Sequence, residues 1–286
     1  MDPIPAEILK NSLRAMDPTG LIVQTIWENH LVFLLVLARI GAFLVAIPLL
    51  GGQGTSPYIK AMTVLALTFA IFPVVKGGFP DALSPPSHFH IWEFVFDLLS
   101  EIILGLIIAF GVRMSFAAAE LGAEVSGMQM GFGLANAFDP VSNQQVSLIR
   151  QAQVILVSLL FLAIDGHHLV LQVLLKSFEL IPSTGFYLTG PLIDKIIRIG
   201  SEMFILGMKI AAPVMIALIM AQIAMGVLSR AVPQIQVFML SFPVIIGVGL
   251  IVFGLSLNLS MSLLQRQMTG TLESDLSDLL MSIKPS

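Results

Sequence analysis

The sequence contains no cysteine, and this absence excludes disulfides, thiolate metal sites and catalytic thiols together. Charge is also scarce: only 11% of the 286 residues are Asp, Glu, Lys or Arg, whereas about 25% is typical of a soluble domain. The net charge of -4 offers no basic surface, so we expect no nucleic-acid partner. Because 56% of the residues are hydrophobic, we expect an integral membrane protein that contacts lipid.

Catalytic motifs are absent as well. None of the five histidines has the His-Glu-x-x-His spacing of a zinc hydrolase. Ser126 has no general base at a recognisable spacing. We therefore predict that the protein is not an enzyme and needs no cofactor and no metal.

Long hydrophobic runs are what the sequence has in abundance. Each contains an apolar core near the roughly 20 residues that a bilayer requires, and none shows the alternation of a strand. A chain that spans a membrane without a barrel must be helical, because helices satisfy their own backbone hydrogen bonds. We predict an all-α integral membrane protein of about six long, partly broken hydrophobic helices. Its candidate segments are residues 26–50, 59–76, 92–126, 144–178, 193–229 and 236–265.

Prolines interrupt several of these runs. Pro48, Pro73, Pro213 and Pro243 lie within or at the ends of apolar segments, where each removes a backbone donor. The run from Pro191 to Arg230 would be about 60 Å long, roughly twice the hydrocarbon thickness. It must break, tilt steeply or leave the membrane, although ordinary kinked helices are the alternative for each single proline.

A few ionisable residues lie inside the apolar segments, and each is a functional candidate. We predict that they make packing contacts, with Arg113 pairing with Glu120 or Glu101; a proton or substrate relay is the alternative. Small residues accompany the charges of the third segment, so this face should contact protein or water. The predicted buried polar residues are Glu101, Arg113, Glu120, Glu124, Asp165, Glu202 and Lys209.

The most polar cluster within the apolar segments is Asp165-Gly166-His167-His168. We interpret it as a helix break that reaches an interface, where Gly166 ends or bends the helix and the imidazoles are solvated. A metal or proton-relay role is the alternative.

A stretch rich in glycine, methionine and phenylalanine follows the third segment. Three glycines weaken a helix over seven residues, whereas the large side chains keep the segment apolar. We predict a short hydrophobic loop that is enclosed by protein or lines a cavity, and that acts as a gate; a plain connector is the alternative. Asp139 and Pro140 are predicted to cap and begin the next helix. The gate residues are Gly127, Met128, Gln129, Met130, Gly131, Phe132 and Gly133.

An ordered set of short motifs covers nearly the whole chain. The motifs are Arg39-Ile-Gly-Ala-Phe-Leu, Pro48-Leu-Leu-Gly, Gln129-Met-Gly-Phe-Gly, Asp139-Pro140, Leu160-Phe-Leu-Ala-Ile-Asp-Gly-His-His168, Ala212-Pro213 and Arg230-Ala-Val-Pro-Gln234. The ordered set resembles the FliR family of flagellar biosynthetic proteins, which has relatives in virulence-type secretion systems. Gln236 departs from the family pattern, because many relatives have asparagine there.

The resemblance implies a non-enzymatic core subunit of the type III protein export gate, in the bacterial inner membrane at the flagellar basal body. It implies assembly with FliP-like and FliQ-like subunits into a helical, partly periplasm-facing cone, with FlhB-like and FlhA-like components and unfolded proteins as substrates.

The resemblance also implies roles for parts of the chain. Residues 1–286 would form a single membrane domain, in which residues 1–185 are FliP-like and residues 186–286 form a FliQ-like helical hairpin. Residues 127–138 would plug the channel, and the turn with Arg230, Pro233, Gln234 and Gln236 would face a partner. The alternative from a different class is a secondary transporter of a small solute, which should show paired helix breaks in two related halves.

Overall fold

The computed structural model describes residues 30–47, 56–75, 91–132, 148–181, 189–231 and 237–270. Within these residues every regular secondary-structure element is an α-helix, which confirms the predicted all-α class. In chain order they are α1 (His30–Ala46), α2 (Pro57–Val75), α3 (Ile91–Gln129), α4 (Leu148–Ala163), α5 (Gly166–Leu180), α6 (Gly190–Ala231) and α7 (Val237–Gly270).

The helices are those of a multi-pass membrane protein. Helices α2, α3, α6 and α7 are each long and apolar enough to cross a bilayer. The predicted segment 144–178 consists of two helices, α4 and α5, which are bent by 69° relative to each other. If this pair is counted as one broken span, the described residues contain up to five spans.

Three of the prolines lie inside helices that continue past them. Pro73, Pro213 and Pro243 are internal to α2, α6 and α7, so the breaks that they favoured do not occur, and the alternative of a helix that continues past each proline is the one observed. Each proline removes one backbone hydrogen bond, a loss that membrane helices tolerate when neighbouring groups compensate. The 42 residues of α6 extend over about 63 Å at roughly 1.5 Å per residue. Steep tilt or projection beyond the membrane therefore remain the two ways to place it. Pro48 lies outside the described residues.

The chain folds into two compact units. The first contains the described residues up to Ala109 and those from Leu174 to Ile181. Its core is apolar, with Leu35, Ile40 and Phe43 fully buried on α1. Helix α3 approaches α1 at Gly105, where an added Cβ would collide with the Arg39 carbonyl oxygen. Glycine is therefore required at this crossing.

The second unit contains the described residues from Phe110 to Val173 and from Thr189 to Gly270. Helices α6 and α7 pack extensively against each other. Helix α3 packs on α6 through two glycines: a Cβ on Gly122 would lie 2.9 Å from the Gly207 carbonyl oxygen, and one on Gly207 would lie 3.0 Å from that of Ala118. Small residues let membrane helices approach in this way. The predicted division after residue 185 stays a prediction.

Candidate functional site: the end of helix α3 and the buried charges

Helix α3 ends in a tight turn at Met130 and Gly131. The Met130 amide donates to the carbonyl oxygen of Ser126 at 3.0 Å, and the Gly131 amide donates to that of Met128 at 3.0 Å. Gly131 has a φ of 87°, a left-handed conformation that glycine adopts without steric cost. Helices commonly end at such a residue, because its amide satisfies a free carbonyl of the last turn. The geometry of Gly131 thus sets the direction in which the chain leaves α3.

The side chain of Met130 anchors this turn. It is fully buried and packs against Gly249 of α7. A Cβ added to Gly249 would lie 2.6 Å from the Met130 Cγ. Phe132 is partly buried and packs against the same cluster. Because the cluster and the side chains packed against it include residues of α4, α6 and α7, the end of α3 is held by three other helices. The cluster consists of Ala123, Met130, Ile149, Val214 and Leu218.

The predicted loop over 127–133 is wrong at its start, because α3 continues through Gly127, Met128 and Gln129. Gly127 is buried, and the packing of this turn offsets the roughly 1 kcal/mol by which glycine weakens a helix. Sequence propensity alone does not include that packing.

The three large apolar side chains of the predicted gate have different surroundings. Met128 is 57% exposed, whereas Met130 is fully buried and Phe132 is intermediate. They do not form one common surface within this chain. Gly133 and the predicted capping residues Asp139 and Pro140 lie outside the described residues.

The most deeply buried charges form an ion pair between α1 and α3. The side chains of Arg39 and Glu101 are both 0% exposed. The pair is bidentate: Arg39 Nε donates to Glu101 Oε2, and Arg39 Nη2 donates to Glu101 Oε1 at 3.0 Å. Two parallel hydrogen bonds of this kind fix orientation as well as distance.

Helix α5 completes the surroundings of the guanidinium. Arg39 Nη1 donates to Ser177 Oγ at 3.2 Å, and Nη2 donates to the Ile181 carbonyl oxygen at 3.0 Å. The ring of Phe178 lies 4.3 Å from the guanidinium carbon, within the range of a cation–π contact. We call Arg39, Glu101, Ser177, Phe178 and Ile181 the arginine clamp. Buried charges are stable only when they are satisfied in this way.

Sequence reasoning missed the clamp: it offered Glu101 as one of two partners of Arg113, whereas Glu101 pairs with Arg39. Glu101 and Arg113 are twelve positions apart on helix α3, so about 18 Å of helix separates them at roughly 1.5 Å per residue. Arg113 is exposed and has no ion pair with another described residue. The usable signal was Arg39 itself, a lone arginine inside an apolar segment that must find a partner.

Two polar residues of the second unit have buried side-chain atoms without hydrogen bonds. One carboxylate oxygen of Glu124 and both amide atoms of Gln153 have no hydrogen bond among the described residues. Glu120 is half-buried, and its predicted pairing with Arg113 does not occur within the described part of the chain. Groups in this state need an ordered water or a partner from outside the chain.

The two predicted polar residues of α6 differ from each other. Glu202 accepts a hydrogen bond from Arg198 Nε at 3.0 Å and another from Gln267 of α7 at 3.2 Å, so it does make a packing contact. Lys209 is exposed, and it forms no ion pair with another described residue. The prediction that Lys209 is buried is therefore wrong for the isolated chain, because its face of α6 is not covered.

The predicted break at residues 165–168 is present between α4 and α5. Asp165, not Gly166, has the left-handed conformation, with a φ of 54°. Gly166 is required for a different reason: a Cβ there would lie 2.5 Å from the Phe161 ring. The side chain of Asp165 is 75% exposed, so its predicted burial is wrong. His168 is also exposed, in agreement with a solvated imidazole, whereas His167 is half-buried, so the prediction of two solvated imidazoles is only partly confirmed.

The end of α6 carries Arg230, which is exposed in its last turn. The other predicted residues of the partner-facing turn, Pro233, Gln234 and Gln236, lie outside the described residues.

Comparisons with known proteins bear on this arrangement. Residues 30–271 match the model of the bacterial export proteins, family 1. The chain is 31% identical to the flagellar biosynthetic protein FliR of Bacillus subtilis (strain 168), over 77% of this chain and 83% of the relative. It is 28% identical to that of Escherichia coli (strain K12), over 75% and 79%. It is 27% identical to that of Aquifex aeolicus (strain VF5), over 81% and 87%.

The family model matches more than half of the chain. The matched residues include the arginine clamp, the end of α3, the break at Asp165 and helices α6 and α7. The relative from Bacillus subtilis supports the same assignment at an identity above 30%. The chain therefore belongs to the bacterial export proteins, family 1, the family of the flagellar biosynthetic protein FliR.

Proposed function

We propose that this chain is a non-enzymatic core subunit of the type III protein export gate in the bacterial inner membrane, at the flagellar basal body. In this role it forms part of the channel for unfolded export substrates. The observation that carries the proposal is the family match across residues 30–271. The multi-pass helices support it, because such a subunit must be embedded in the membrane.

Assembly with other subunits is the second part of the proposal. The most apolar window of α3 is 44% buried inside the chain, whereas that of α7 is only 11% buried. Lipid or neighbouring subunits must therefore cover most of α7. We assign much of the uncovered surface of α7, together with the uncovered surface of α6, to FliP-like and FliQ-like neighbours.

One feature of α6 favours protein over lipid. An apolar groove of about 610 Å³ runs along its outer face, and Lys209 lies within the lining. Lys209 is 19 residues from Gly190, so about 28 Å of helix separates it from that end. A lysine this far from a helix end is costly against hydrocarbon. A neighbouring helix that supplies a carboxylate or carbonyl group would remove that cost.

The gate is the third part of the proposal. Residues 127–138 act as the plug, the αL turn at Gly131 sets its exit from α3, and Met130 holds it against Gly249. Burying one large apolar side chain contributes about 1.5 to 3 kcal/mol as an upper value. Since each 1.4 kcal/mol changes a two-state ratio roughly tenfold, release of one such anchor shifts a closed gate substantially toward the open state.

The gate is tested by deleting residues 131–138 in a complex with FliP-like and FliQ-like partners and measuring membrane permeability to small ions. We expect the deletion and Met130→Ala to leak. Met62→Ala is the matched control, because that methionine is 68% exposed on α2 and lies outside the plug. If the assembled deletion complex is as tight as wild type, the segment is a connector and not the seal.

Assembly is tested by purification and crosslinking. We expect the chain to purify with FliP-like and FliQ-like subunits, and we expect Gln234→Cys to crosslink to a cysteine placed in a partner's turn. The chain has no other thiol, so any crosslink reports this position. Recovery as a stable lone monomer that binds and transports a small solute would overturn the export-gate proposal and favour the transporter.

A further inference from the structure

The break between α4 and α5 brings three potential metal ligands together. Asp165, His167 and His168 each offer one ligand atom, and these atoms all lie within 4.8 Å of one another. His168 Nδ1 is 3.5 Å from Asp165 Oδ1, and the two imidazole rings are 4.1 Å apart between centroids. The three residues occupy only four consecutive positions, so this grouping comes from the turn itself.

The backbone of the turn explains how the grouping arises. The Asp165 carbonyl oxygen accepts hydrogen bonds from the amides of His168 at 2.9 Å and Leu169 at 3.2 Å, so Asp165 directly precedes the first turn of α5. Asp165 itself is left-handed, which is uncommon for a residue with a side chain. Its side chain is 75% exposed, so burial of that side chain does not account for the conformation. Strained residues of this kind cluster at binding sites.

An unsatisfied ring nitrogen is an independent observation at the same place. His167 Nδ1 is buried and has no hydrogen-bond partner among the described residues. Buried polar atoms are normally satisfied by protein, water or a bound ion. A neutral imidazole has one nitrogen with a free lone pair, which can bind either a proton donor or a metal.

We propose that this break binds one divalent transition-metal cation of the zinc class, through Asp165, His167 and His168, with water in the remaining position. Imidazole and carboxylate are ligands that zinc accepts, and three protein ligands plus one water is the pattern of its open sites. Ligand bonds of about 2.0 to 2.2 Å place tetrahedral ligand atoms roughly 3.3 to 3.6 Å apart. The ligand atoms of the three side chains must therefore move slightly closer together to bind the ion. The side chains of Asp165 and His168 are largely exposed, so packing does not prevent this movement.

A cation held in this way would fix the connection between α4 and α5. Asp165 lies before the first turn of α5, and both histidines lie within it. The ion would therefore cross-link the turn to the start of the helix that follows. The sequence offered a metal role for this cluster only as the alternative to a solvated helix break, and the distances between the ligand atoms in the folded turn favour the metal.

The test uses the full-length chain, purified in detergent and stripped with a chelator. Cobalt(II) is titrated as a spectroscopic probe for zinc, and visible absorption is measured, followed by competition with zinc. We expect one equivalent to bind and zinc to displace it. Asp165→Asn, His167→Ala and His168→Ala should each weaken binding by at least about tenfold. His30→Ala is the matched control, since His30 is an exposed histidine outside the cluster.

Direct coordination is tested by His168→Cys. Because the chain has no cysteine, the introduced thiol is unique, and a cobalt–thiolate charge-transfer band would identify residue 168 as a ligand. This variant also retains a ligand, so it keeps the test informative if the alanine variants fail to fold. Absence of cobalt absorption in wild type, absence of the thiolate band in His168→Cys, or equal loss in His30→Ala would each overturn the proposal. The measurement needs no partner subunit, so its failure leaves the proposed export function untouched.

Discussion

The two compact units hold their helices together by opposite means. In the first unit the arginine clamp joins α1, α3 and α5 through two fully buried charges. In the second unit α3 contacts α6 through glycines whose missing side chains let the backbones approach. A buried charge is destabilising as soon as its partner is lost, whereas a close backbone contact is disturbed only in proportion to the volume added. The first unit should therefore be the more sensitive to single substitutions.

The largest effect is expected from Glu101→Leu. This change leaves Arg39 charged and buried without its carboxylate, which should lower the free energy of unfolding by about 3 to 5 kcal/mol. Thermal unfolding of the detergent-solubilised chain measures the loss.

The double variant Arg39→Met with Glu101→Leu is the control for this prediction. Replacing a buried ion pair by apolar residues of similar size is often neutral, so the double variant should be more stable than Glu101→Leu alone. A double variant that is less stable than the single one would show that the clamp acts through packing and not through its charges.

Gly207→Val should have the next largest effect. Its Cβ would lie 2.8 Å from Leu121 Cδ2 and 3.0 Å from the Ala118 carbonyl oxygen, so α3 and α6 must separate. Overpacking of this kind costs about 1 to 3 kcal/mol, again measured by thermal unfolding. The same substitution at Gly200 of α6 is the matched control, because nothing lies within 4 Å of a Cβ there. Equal losses at both positions would mean that the cost is one of helix propensity and not of helix packing.

Gly249→Ala should have a smaller effect on stability, because the neighbour it meets is a flexible methionine and not backbone. We expect a loss of about 1 kcal/mol, at the low end of the cost of overpacking. Gly254→Ala of the same helix is the control, since a Cβ there meets nothing within 4 Å. Combining Gly249→Ala with Met130→Ala should remove the clash; additive losses would show that the two residues do not interact.

The smallest effect is expected from Arg198→Ala, which removes an exposed pair with Glu202 four residues away. Such pairs contribute about 0.3 to 0.5 kcal/mol and are screened by salt. Raising the salt concentration should therefore abolish the difference between Arg198→Ala and wild type. The loss in Glu101→Leu should persist, because buried charges are screened much less. If the stability loss in Glu101→Leu disappeared in high salt, that result would contradict the burial of the Arg39–Glu101 pair.

Local sequence patterns predicted most of the fold because they act over short distances. Apolar runs of the right length predicted the helices, and Asp165-Gly166 predicted the break between α4 and α5. The patterns failed where distant residues decide the outcome. The glycines before Met130 predicted a loop, but the packing of that turn keeps α3 helical to Gln129. Pro213 predicted a break, but α6 continues through it.

The sequence by itself determined that this chain is an all-helical membrane protein with few ionisable residues, since composition and run length are properties of the chain alone. Only the tertiary structure decided which of those residues meet. Arg39 and Glu101 are 62 positions apart, and the Ile181 carbonyl oxygen is 142 positions from Arg39. The sequence pattern suggested Arg113 as a partner of Glu101, but the distance between them along α3 excludes that pair. The crossing of α1 and α3 brings Arg39 to Glu101 instead. The physical reason is that a buried ion pair requires atomic contact, and the positions of distant helices are set by packing that no short stretch of sequence encodes.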